Sequence, residues 1–369
     1  MNFLIITHVK HKLKDDHYYG YGPYVKEMNI WNAHVDHVEV VGHKIDEEIT
    51  RIDLPYTSKV RFTEIPQISL TSLKAIFTSF FYTPIVFFKI IGAIRRADHI
   101  HLRCPGNIGL LGCIAQIFFP KKKKTAKYAG NWDPKAKQPR SYRLQKWILQ
   151  NTFLTKNISV LAYGDWPDQS KNIVSFFTAT YRKEQIPEIK KSTYSMPFHI
   201  MFVGSLVPGK RPMYALEFVK TCFDQGIDVK IDFYGEGNQR PLLEKYIQDH
   251  QLQEVAVLHG NQTTETVQEA YKKSHFLLLP SKSEGWPKVV AEAMFWGVIP
   301  IVTPISCVSW MLGEGSRGIL MNLNLESDVT AFAKAIKTPE ILQKMTVEGQ
   351  EWSHQYTLDT FESSIKELL

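Results

Sequence analysis

The segment that decides the predicted fold is Ser281-Lys-Ser-Glu-Gly-Trp-Pro-Lys-Val-Val-Ala-Glu-Ala-Met-Phe-Trp-Gly297. The apolar run His275-Phe-Leu-Leu-Leu-Pro280 precedes it and is typical of a buried strand, and Val298-Ile-Pro-Ile-Val302 follows as a second strand. Between them, Pro287 suits the first turn of a helix and Gly297 suits its end. The order of strand, acidic turn, helix and strand predicts a parallel α/β sheet.

Two glutamates separated by seven residues stand in this segment, Glu284 in the turn and Glu292 in the helix. The free amides of the helix start face the space beyond the strand and attract phosphate. A carboxylate beside a phosphate site would repel phosphate, so Glu284 is better placed to accept hydrogen bonds from hydroxyl groups. Because hydroxyl groups next to a diphosphate describe a nucleotide sugar, we expect such a ligand here.

The rest of the chain has the same alternation of apolar runs and helical patterns. Its 369 residues suffice for two domains. The pattern predicts an α/β protein with two Rossmann-like domains, whose parallel sheets face each other across a cleft and bind ligands beyond the carboxyl ends of their strands. The predicted strands are 3–7, 38–41, 100–102, 126–129, 158–161, 199–204, 229–235, 255–260, 276–281, 300–303 and 318–321.

The predicted domain boundaries follow from a polar stretch in the middle of the chain. Residues 1–183 are expected to form an N-terminal domain, and residues 198–352 a C-terminal domain. The linker is predicted at 184–197, which has two prolines and little apolar content. Residues 353–369 end in a helix with one apolar stripe, which we expect to pack back toward the N-terminal domain.

Bulk composition is that of a soluble globular protein, with 44% apolar and 22% charged residues. Cys104, Cys113, Cys222 and Cys307 lack the spacing of metal ligands, so a reduced compartment is the simplest interpretation. The N-terminus lacks the features of a signal peptide. The expected location is therefore the cytoplasm.

A net charge of +7 suggests a polyanionic partner. The densest basic cluster, Lys121 to Lys124 with Lys127, follows an apolar segment. Two interpretations stay open: a solvated loop, or contact with an anionic membrane surface at the inner face of the membrane. Nucleic acid is not an expected partner, because no recognition motif accompanies the charge.

The most apolar stretch, Leu73 to Ile94, is long enough to raise the question of a membrane span. Pro84 and Lys89 interrupt this stretch, and two arginines close it. We therefore expect a buried or interfacial pair of helices rather than a span.

Three further loops carry residues that suit a nucleotide. The loop Gly204-Ser-Leu-Val-Pro-Gly-Lys-Arg-Pro212 follows a strand, and its Lys210 and Arg211 could neutralise a diphosphate. Tyr234-Gly-Glu-Gly237 ends another strand, and its glycines suggest close approach of the backbone to a ligand. His259-Gly-Asn261 lies where a nucleobase could meet backbone groups. Taken singly, each loop could also be a plain connector.

Taken together, these motifs resemble a known family. Residues 199–322 look like the donor domain of retaining glycosyltransferases of family 4, which have the two-domain GT-B fold. The resemblance lies in Phe202-Val-Gly-Ser-Leu-Val-Pro-Gly-Lys210, Tyr234-Gly-Glu-Gly237, Leu279-Pro-Ser281, Glu284-Gly-Trp-Pro287, Glu292-Ala293 and Gly297.

The resemblance assigns separate roles to the two glutamates. It implies that Glu284 contacts the hydroxyls of the donor sugar, that Glu292 binds the ribose and that Lys210 holds the diphosphate, with no metal or cofactor required. The donor-binding residues it predicts are Gly22, Gly204, Ser205, Lys210, Arg211, Gly235, Gly237, His259, Gly260, Glu284, Gly285, Trp286, Pro287, Lys288, Val289 and Glu292. Ser205 departs from the family, which often has arginine there, and Arg211 could replace that charge.

The resemblance implies that residues 1–183 form the acceptor-binding domain and residues 198–352 the donor-binding domain. The N-terminal half matches the family less closely. Tyr18-Tyr-Gly-Tyr-Gly-Pro-Tyr24 is expected to form a glycine-rich loop after the first strand, with Gly22 at the donor phosphate and Tyr21 at the acceptor. The other predicted acceptor contacts are Arg103, Asn131 and Asp133, and the family's histidine in this last region is missing. The predicted catalytic set is Glu284, Lys210, Asp133 and His101, although His101 could equally be a histidine at the edge of the core.

The predicted reaction is transfer of a sugar from a nucleotide sugar to a hydroxyl group with retained configuration. A saccharide or a lipid-linked saccharide of cell-surface polysaccharide or glycolipid synthesis is the expected acceptor. Two alternatives stay open: a sugar-nucleotide epimerase of the same fold, and a non-catalytic paralogue that binds nucleotide sugars.

Overall fold

A computed structural model describes residues 1–50, 52–68, 73–188 and 194–369. The chain divides into two compact units: Met1–Phe176 with Glu362–Leu369 forms unit 1, and Phe177–Phe361 forms unit 2. The chain thus passes into unit 2 before the segment 184–197 that we predicted as the linker. Residues 189–193 of that segment lie outside the described residues.

Unit 1 contains a nine-stranded mixed sheet in the order β4-β2-β1-β6-β7-β8-β9, with β3 paired to β1 and β5 paired to β3. All pairs are parallel except those that β2 makes with β1 and β4. Its strands are β1 (Asn2–Lys14), β2 (His17–Tyr21), β3 (His37–Lys44), β4 (Asp53–Pro55), β5 (Val60–Glu64), β6 (His99–Cys104), β7 (Lys123–Tyr128), β8 (Ile158–Tyr163) and β9 (Ile173–Phe176).

The helices of unit 1 connect these strands. They are α1 (Gly22–Asn32), α2 (Leu73–Arg96), α3 (Asn107–Ala115), which continues into a 3₁₀ turn (Gln116–Phe118), and α4 (Arg140–Gln150). Side chains of α2, α3 and α4 pack with the strand residues Leu4, Ile6, Leu102 and Ala126 in one apolar core.

The predicted glycine-rich loop at Tyr18–Tyr24 is wrong, because Tyr18 to Tyr21 lie in β2, which returns antiparallel on β1. Tyr18 stacks on Phe62 at 4.5 Å between ring centroids. Gly22 begins α1, and its amide donates to the carbonyl of Ile52 at 2.8 Å. A Cβ on Gly22 would lie 2.6 Å from the same oxygen, so close chain packing accounts for this glycine.

The predicted helix pair at 73–94 is a single helix, α2, with Pro84 inside it. Proline lacks the amide that would bond the carbonyl four residues earlier, which weakens a helix without always ending it. Nearby, the Thr83 hydroxyl donates to the Ser79 carbonyl at 2.7 Å. In the parts of the chain that the structure describes, no helix has the length and apolar character to cross a membrane.

Unit 2 contains a six-stranded sheet in the order β12-β11-β10-β13-β14-β15, in which every pair is parallel. The prediction of an α/β fold with parallel sheets is confirmed. The strands are β10 (Phe198–Val203), β11 (Val229–Tyr234), β12 (Ala256–Gly260), β13 (Phe276–Leu279), β14 (Ile299–Val302) and β15 (Ile319–Leu320).

The helices of unit 2 separate these strands, as the alternating pattern predicts. They are α5 (Pro212–Asp224), α6 (Arg240–Asp249), α7 (Thr264–Lys273), α8 (Lys288–Phe295), α9 (Val308–Met311), α10 (Leu325–Ala335) and α11 (Pro339–Ser353). The last helix, α12 (Leu358–Leu368), begins in unit 2, and its residues from Glu362 onward belong to unit 1.

Neutral histidines are built into the core of unit 1. Burial lowers the pKa of His11 and of His99 to about 4. His11 bonds the Tyr56 hydroxyl at 2.9 Å, and His99 bonds the Thr125 hydroxyl at 3.0 Å. Since protonation would place a charge in these apolar surroundings, the folded unit favours the neutral rings.

Unit 1 should therefore lose stability in mild acid. Unfolded histidine protonates near pH 6.5, whereas folded His11 and His99 do so near pH 4. The free energy of unfolding of unit 1 therefore has its full value above pH 6.5. It falls as the pH drops toward 4, by up to about 1.4 kcal/mol per pH unit for each histidine. Hydrogen-exchange protection of β1 and β6, corrected for intrinsic rates, measures this loss. Equal protection at pH 7 and pH 5 would contradict the expectation, and His99→Gln should reduce the slope.

Candidate functional site

The carboxyl ends of four neighbouring strands, β12, β11, β10 and β13, gather the predicted donor-binding loops of unit 2. The loops span residues 204–211, 235–239, 260–263 and 280–287. All four lie at the same edge of one parallel sheet, which is where open α/β sheets bind ligands.

Backbone hydrogen bonds join these loops to each other. The Gly204 amide donates to the Tyr234 carbonyl at 2.9 Å, and the Gly235 amide donates to the Gly260 carbonyl at 2.8 Å. A Cβ on Gly235 would lie 2.1 Å from the Gly204 oxygen. A Cβ on Gly237 would lie 2.3 Å from the Leu206 oxygen. The sequence predicted that these glycines allow the backbone to come close to a ligand. In the structure, they allow the backbones of two neighbouring loops to come close to each other.

The Lys210 ammonium group and the Glu284 carboxylate form an ion pair between the first and last of these loops. The Glu284 side chain is 10% exposed and that of Lys210 is 29% exposed. The Lys282 amide, which donates to the Gly209 carbonyl at 2.8 Å, adds a backbone link between the same two loops. The structure thus brings together two predicted catalytic residues that are 74 positions apart in the sequence.

Arg211 has a structural partner in this edge. It precedes α5 in the left-handed backbone conformation, at φ 50°. Its Nη1 donates to the Pro280 carbonyl at 3.1 Å. Ser205, the departure from the family pattern, is exposed in the same loop. The guanidinium therefore braces the Glu284 loop, and its predicted contact with a diphosphate stays a prediction.

The Glu284 loop is also held by three residues that the sequence analysis did not identify as site residues. The Thr303 hydroxyl donates to the Ser281 carbonyl at 2.7 Å. The Ser306 hydroxyl and the Cys307 thiol donate to the Gly285 carbonyl at 3.1 and 3.2 Å. Burial raises the pKa of the Cys307 thiol to about 12, so it stays a protonated donor. No motif marks these residues, because only the fold brings them to the loop.

Trp286 is buried in an aromatic cluster rather than presented to a ligand. Its ring lies 6.0 Å from that of Trp352 on α11, 5.5 Å from that of Tyr356 and 6.2 Å from that of Trp310. The side chain is 6% exposed. Its role in the structure is therefore to fix the loop between Glu284 and the start of α8.

Glu292 lies on α8, and both of its carboxylate oxygens accept hydrogen bonds within unit 2. The Thr180 hydroxyl donates to Oε1 at 2.6 Å, and the Tyr271 hydroxyl donates to Oε2 at 3.2 Å. Burial, with the Glu292 charge, raises the pKa of Tyr271 well above its ordinary value, which keeps this hydroxyl protonated. A ribose at Glu292 would have to share or displace these two donors.

The side chain of His259 makes contacts along the sheet. Its ring stacks on Tyr234 at 4.7 Å, and its Nε2 lies 2.6 Å from Asp232 Oδ1. Because His259 is exposed, its contact with a donor stays a prediction. Trp286, in contrast, is buried in packing, and Lys210 and Glu284 contact each other.

The residues predicted in unit 1 do not form one cluster of exposed groups. His101 is fully buried against Phe3 and Trp31, and burial lowers its pKa well below the ordinary value. Arg103 is buried in an ion pair with Glu27 at 2.6 Å. His101 is thus a histidine of the core. Because His101 and Arg103 are both buried, neither is well placed to contact a substrate directly.

Asn131 and Asp133 lie in a turn after β7. The Asp133 amide donates to Asn131 Oδ1, and the Lys135 amide donates to Asp133 Oδ1, both at 2.8 Å. Each side chain thus shapes the turn, while both residues remain partly exposed. The exposed Tyr21 ends β2. Acceptor contact by these residues stays a prediction.

A cavity of about 250 Å³ in unit 1 has polar lining residues that the sequence interpretation missed. His8 and Lys10 lie on β1 beyond its pairing with β6, and His43 lies near the end of β3. Burial is the main cause that lowers the pKa of both histidines. The sequence does carry a signal for this cavity, because His8 and Lys10 follow directly after the apolar part of β1. A larger cavity, of about 630 Å³, lies at the opposite, amino ends of β1 and β3.

Within the described ranges, no three His, Cys, Asp or Glu side chains lie together in a way that could hold a metal ion. The Lys210 ammonium group is one of the cations at this edge of unit 2. That the protein needs no metal remains a prediction.

A known protein family matches most of the sequence of unit 2. Residues 184–352 match the family model described as glycosyl transferases group 1. This part of the chain is thus similar to a glycosyltransferase group 1 domain. An uncharacterized glycosyltransferase of Methanocaldococcus jannaschii is 25% identical over 158 residues, which are 42% of this chain and 43% of that protein. The chain thus matches less than half the length of this curated relative.

Solved structures resemble the whole chain, including the part outside the group 1 domain. The lipopolysaccharide outer core galactosyltransferase WaaB has a TM-score of 0.68 at 13% identity, covering 100% of this chain and 99% of its own. HepE of Anabaena in complex with UDP has a TM-score of 0.68 at 14% identity, covering 99% and 98%. These neighbours are GT-B glycosyltransferases, and the likeness shows that the chain has this fold.

A third neighbour is longer than this chain. The pneumococcal O-GlcNAc transferase GtfA, solved with UDP and GlcNAc, has a TM-score of 0.56 at 15% identity. The match covers 77% of this chain but 59% of that one.

The glycine packing at this edge can be tested with a matched pair of alanine substitutions. Gly237→Ala puts a Cβ 2.3 Å from the Leu206 oxygen, whereas a Cβ on Gly209 meets no atom within 4 Å. We expect Gly237→Ala to lower the free energy of unfolding of unit 2 by about 1–3 kcal/mol. Gly209→Ala should stay within about 0.5 kcal/mol of the wild type. Urea unfolding measures both, and equal effects would show that the loops do not depend on this approach.

Proposed function

We propose that this chain transfers a sugar from a nucleotide-sugar donor to a hydroxyl acceptor with retained anomeric configuration. One observation carries the proposal: Lys210 and Glu284 meet at the carboxyl edge of the parallel sheet in the group 1 domain. A cation suited to a diphosphate thus lies beside a carboxylate suited to sugar hydroxyls. Neighbouring structures solved with UDP support this choice of donor class.

The donor would exchange partners with the ion pair. In the free protein, Glu284 accepts from Lys210. A donor diphosphate would take the Lys210 ammonium group, and hydroxyls of the sugar would donate to the released Glu284 carboxylate. Each charged group keeps a partner in both states, which avoids the cost of leaving a partly buried charge unpaired.

Transfer then requires positioning and stabilisation of charge on the leaving group. The bond between the anomeric carbon and the diphosphate oxygen breaks. The acceptor oxygen bonds to that carbon on the same face, and its proton passes to the leaving diphosphate. Lys210 and the amides at the start of α8, with Lys288 as its first residue, would stabilise the departing negative charge.

The acceptor would be a saccharide or a lipid-linked saccharide of cell-surface polysaccharide or glycolipid synthesis. The likeness to a galactosyltransferase of the lipopolysaccharide outer core supports this class. For the acceptor, the unit 1 cavity with His8 and His43 is a better candidate than the buried His101. We also propose that the enzyme acts in the cytoplasm, at the inner face of the membrane.

The proposal predicts that both members of the ion pair are needed for turnover. After nucleotide sugars are screened by thermal shift, release of nucleoside diphosphate is measured with and without candidate acceptors. Glu284→Ala and Lys210→Ala should each lower turnover on the order of 10²-fold or more, because each removes a charge that acts on the donor. Lys282→Ala, an exposed lysine of the same loop, and Glu254→Ala, an exposed glutamate elsewhere in unit 2, are the matched controls.

The same assay separates the alternatives. Near-normal turnover in Glu284→Ala would overturn the assignment of this site. Epimerised sugar, or free nucleotide formed without any acceptor, would indicate an epimerase. Tight binding of a nucleotide sugar without turnover across acceptors would indicate a non-catalytic paralogue. Magnetic resonance coupling constants of the product report whether the anomeric configuration is retained.

A further inference from the structure

The outer face of α2 is an exposed apolar surface of unit 1. Phe80 is 74% exposed and Phe88 is 71% exposed, and Phe77, Phe81 and Ile85 on the same helix are also exposed. Their spacing of three, four or eight residues places them along one side of the helix. We call these five residues the α2 outer face.

The opposite side of α2 is already occupied by the core. Val86, Ile90, Ala93 and Ile94 are fully buried in the apolar cluster of unit 1. The helix is therefore apolar on two sides, only one of which the described part of unit 1 covers. Such a helix is unusual at a water-exposed surface, where the outer side normally carries charges.

The α2 outer face continues into the start of the basic run. Phe118, in the turn after α3, is 66% exposed, and its ring lies 6.4 Å from that of Phe87 on α2. Lys122, four residues later, donates through its ammonium group to the carbonyls of Arg95 and Ala97 at the end of α2. The exposed aromatic rings and the basic run thus lie side by side.

The charge around this surface is one-sided. Residues 65–132 contain ten Lys and Arg and a single acidic residue, Asp98. Arg103 and Lys127 pair with the buried Glu27, and Arg96 pairs with Glu39. Lys89, Arg95, Lys121 and Lys123 are exposed. An apolar surface edged by exposed cations is complementary to a surface that is apolar inside and anionic outside.

We propose that unit 1 docks on an anionic lipid bilayer through the α2 outer face and Phe118, with Arg95, Lys121 and Lys123 at the head groups. The aromatic rings would enter the boundary between head groups and acyl chains, with the helix lying along the surface. The lysines and arginines would add attraction to anionic lipid. This inference concerns lipid binding alone and does not depend on the reaction proposed above.

Charge decides between a bilayer and a second copy of this chain as the occupant. A second copy docked by the same face would bring the same excess of lysine and arginine against the first, and like charges would oppose the contact. An anionic bilayer supplies both the apolar layer and the opposite charge.

The test is flotation of the full chain with lipid vesicles at about 0.1 M salt. One set of vesicles is phosphatidylcholine with about 30% phosphatidylglycerol, and the other is phosphatidylcholine alone. Wild type should float with the anionic vesicles and at least tenfold less with the neutral ones. Phe80→Ser with Phe88→Ser should weaken partitioning at least tenfold, because both rings leave the apolar boundary. Phe223→Ser, at an exposed phenylalanine of unit 2, is the matched control and should float as wild type does.

Each result decides the proposal. Failure of wild type to float with anionic vesicles would overturn it, as would equal flotation of the double variant or equal loss in Phe223→Ser. If the double variant melts early, Lys121→Glu with Lys123→Glu replaces it, since both side chains are exposed, and unchanged flotation of that variant would overturn the proposal. Self-association of wild type that the phenylalanine substitutions abolish, without lipid binding, would instead identify a second copy as the occupant.

Discussion

The ion pair between Lys210 and Glu284 is the interaction on which the proposed chemistry depends. Neither residue lies in a regular helix or strand, so the surrounding structure must hold both loops in place. Arg211 braces the Glu284 loop through Pro280, Cys307 holds the Gly285 carbonyl, and Trp286 buries its ring beside Trp352. The parallel sheet supplies the edge, and these contacts supply the geometry of the charged groups.

Unit 1 uses its charged residues differently. Glu27 of α1 pairs with Arg103 of β6 and, at 2.9 Å, with Lys127 of β7. Removal of Glu27 would leave two buried cations without this carboxylate, which is among the costlier changes a core can suffer. The Glu27 ion pairs hold α1 to β6 and β7, and the neutral His99 bonds the Thr125 hydroxyl of the neighbouring strand. These buried groups thus serve the core of unit 1.

The sequence predicted the six parallel strands of unit 2, because most of them are apolar runs between helical patterns. It missed the parallel strands β5 and β9 of unit 1. It also predicted that Lys210 and Glu284 share a strand edge. It missed the hairpin β1–β2, because Tyr18 to Gly22 has the composition of a turn, and only tertiary pairing with β4 makes it a strand. It assigned Trp286 to the ligand and left His101 open between catalysis and the edge of the core, since a polar or aromatic residue beside a strand has the same pattern whether it faces the core or a ligand.

Calorimetric titration of Glu284→Gln tests the exchange of partners at the ion pair. Glutamine keeps the shape of the side chain but no longer competes for Lys210 as a charge. A nucleoside diphosphate should bind this variant more tightly than it binds wild type, on the order of tenfold, while the matching nucleotide sugar gains less or binds more weakly. Equal weakening of both ligands, or no change in either, would contradict the exchange.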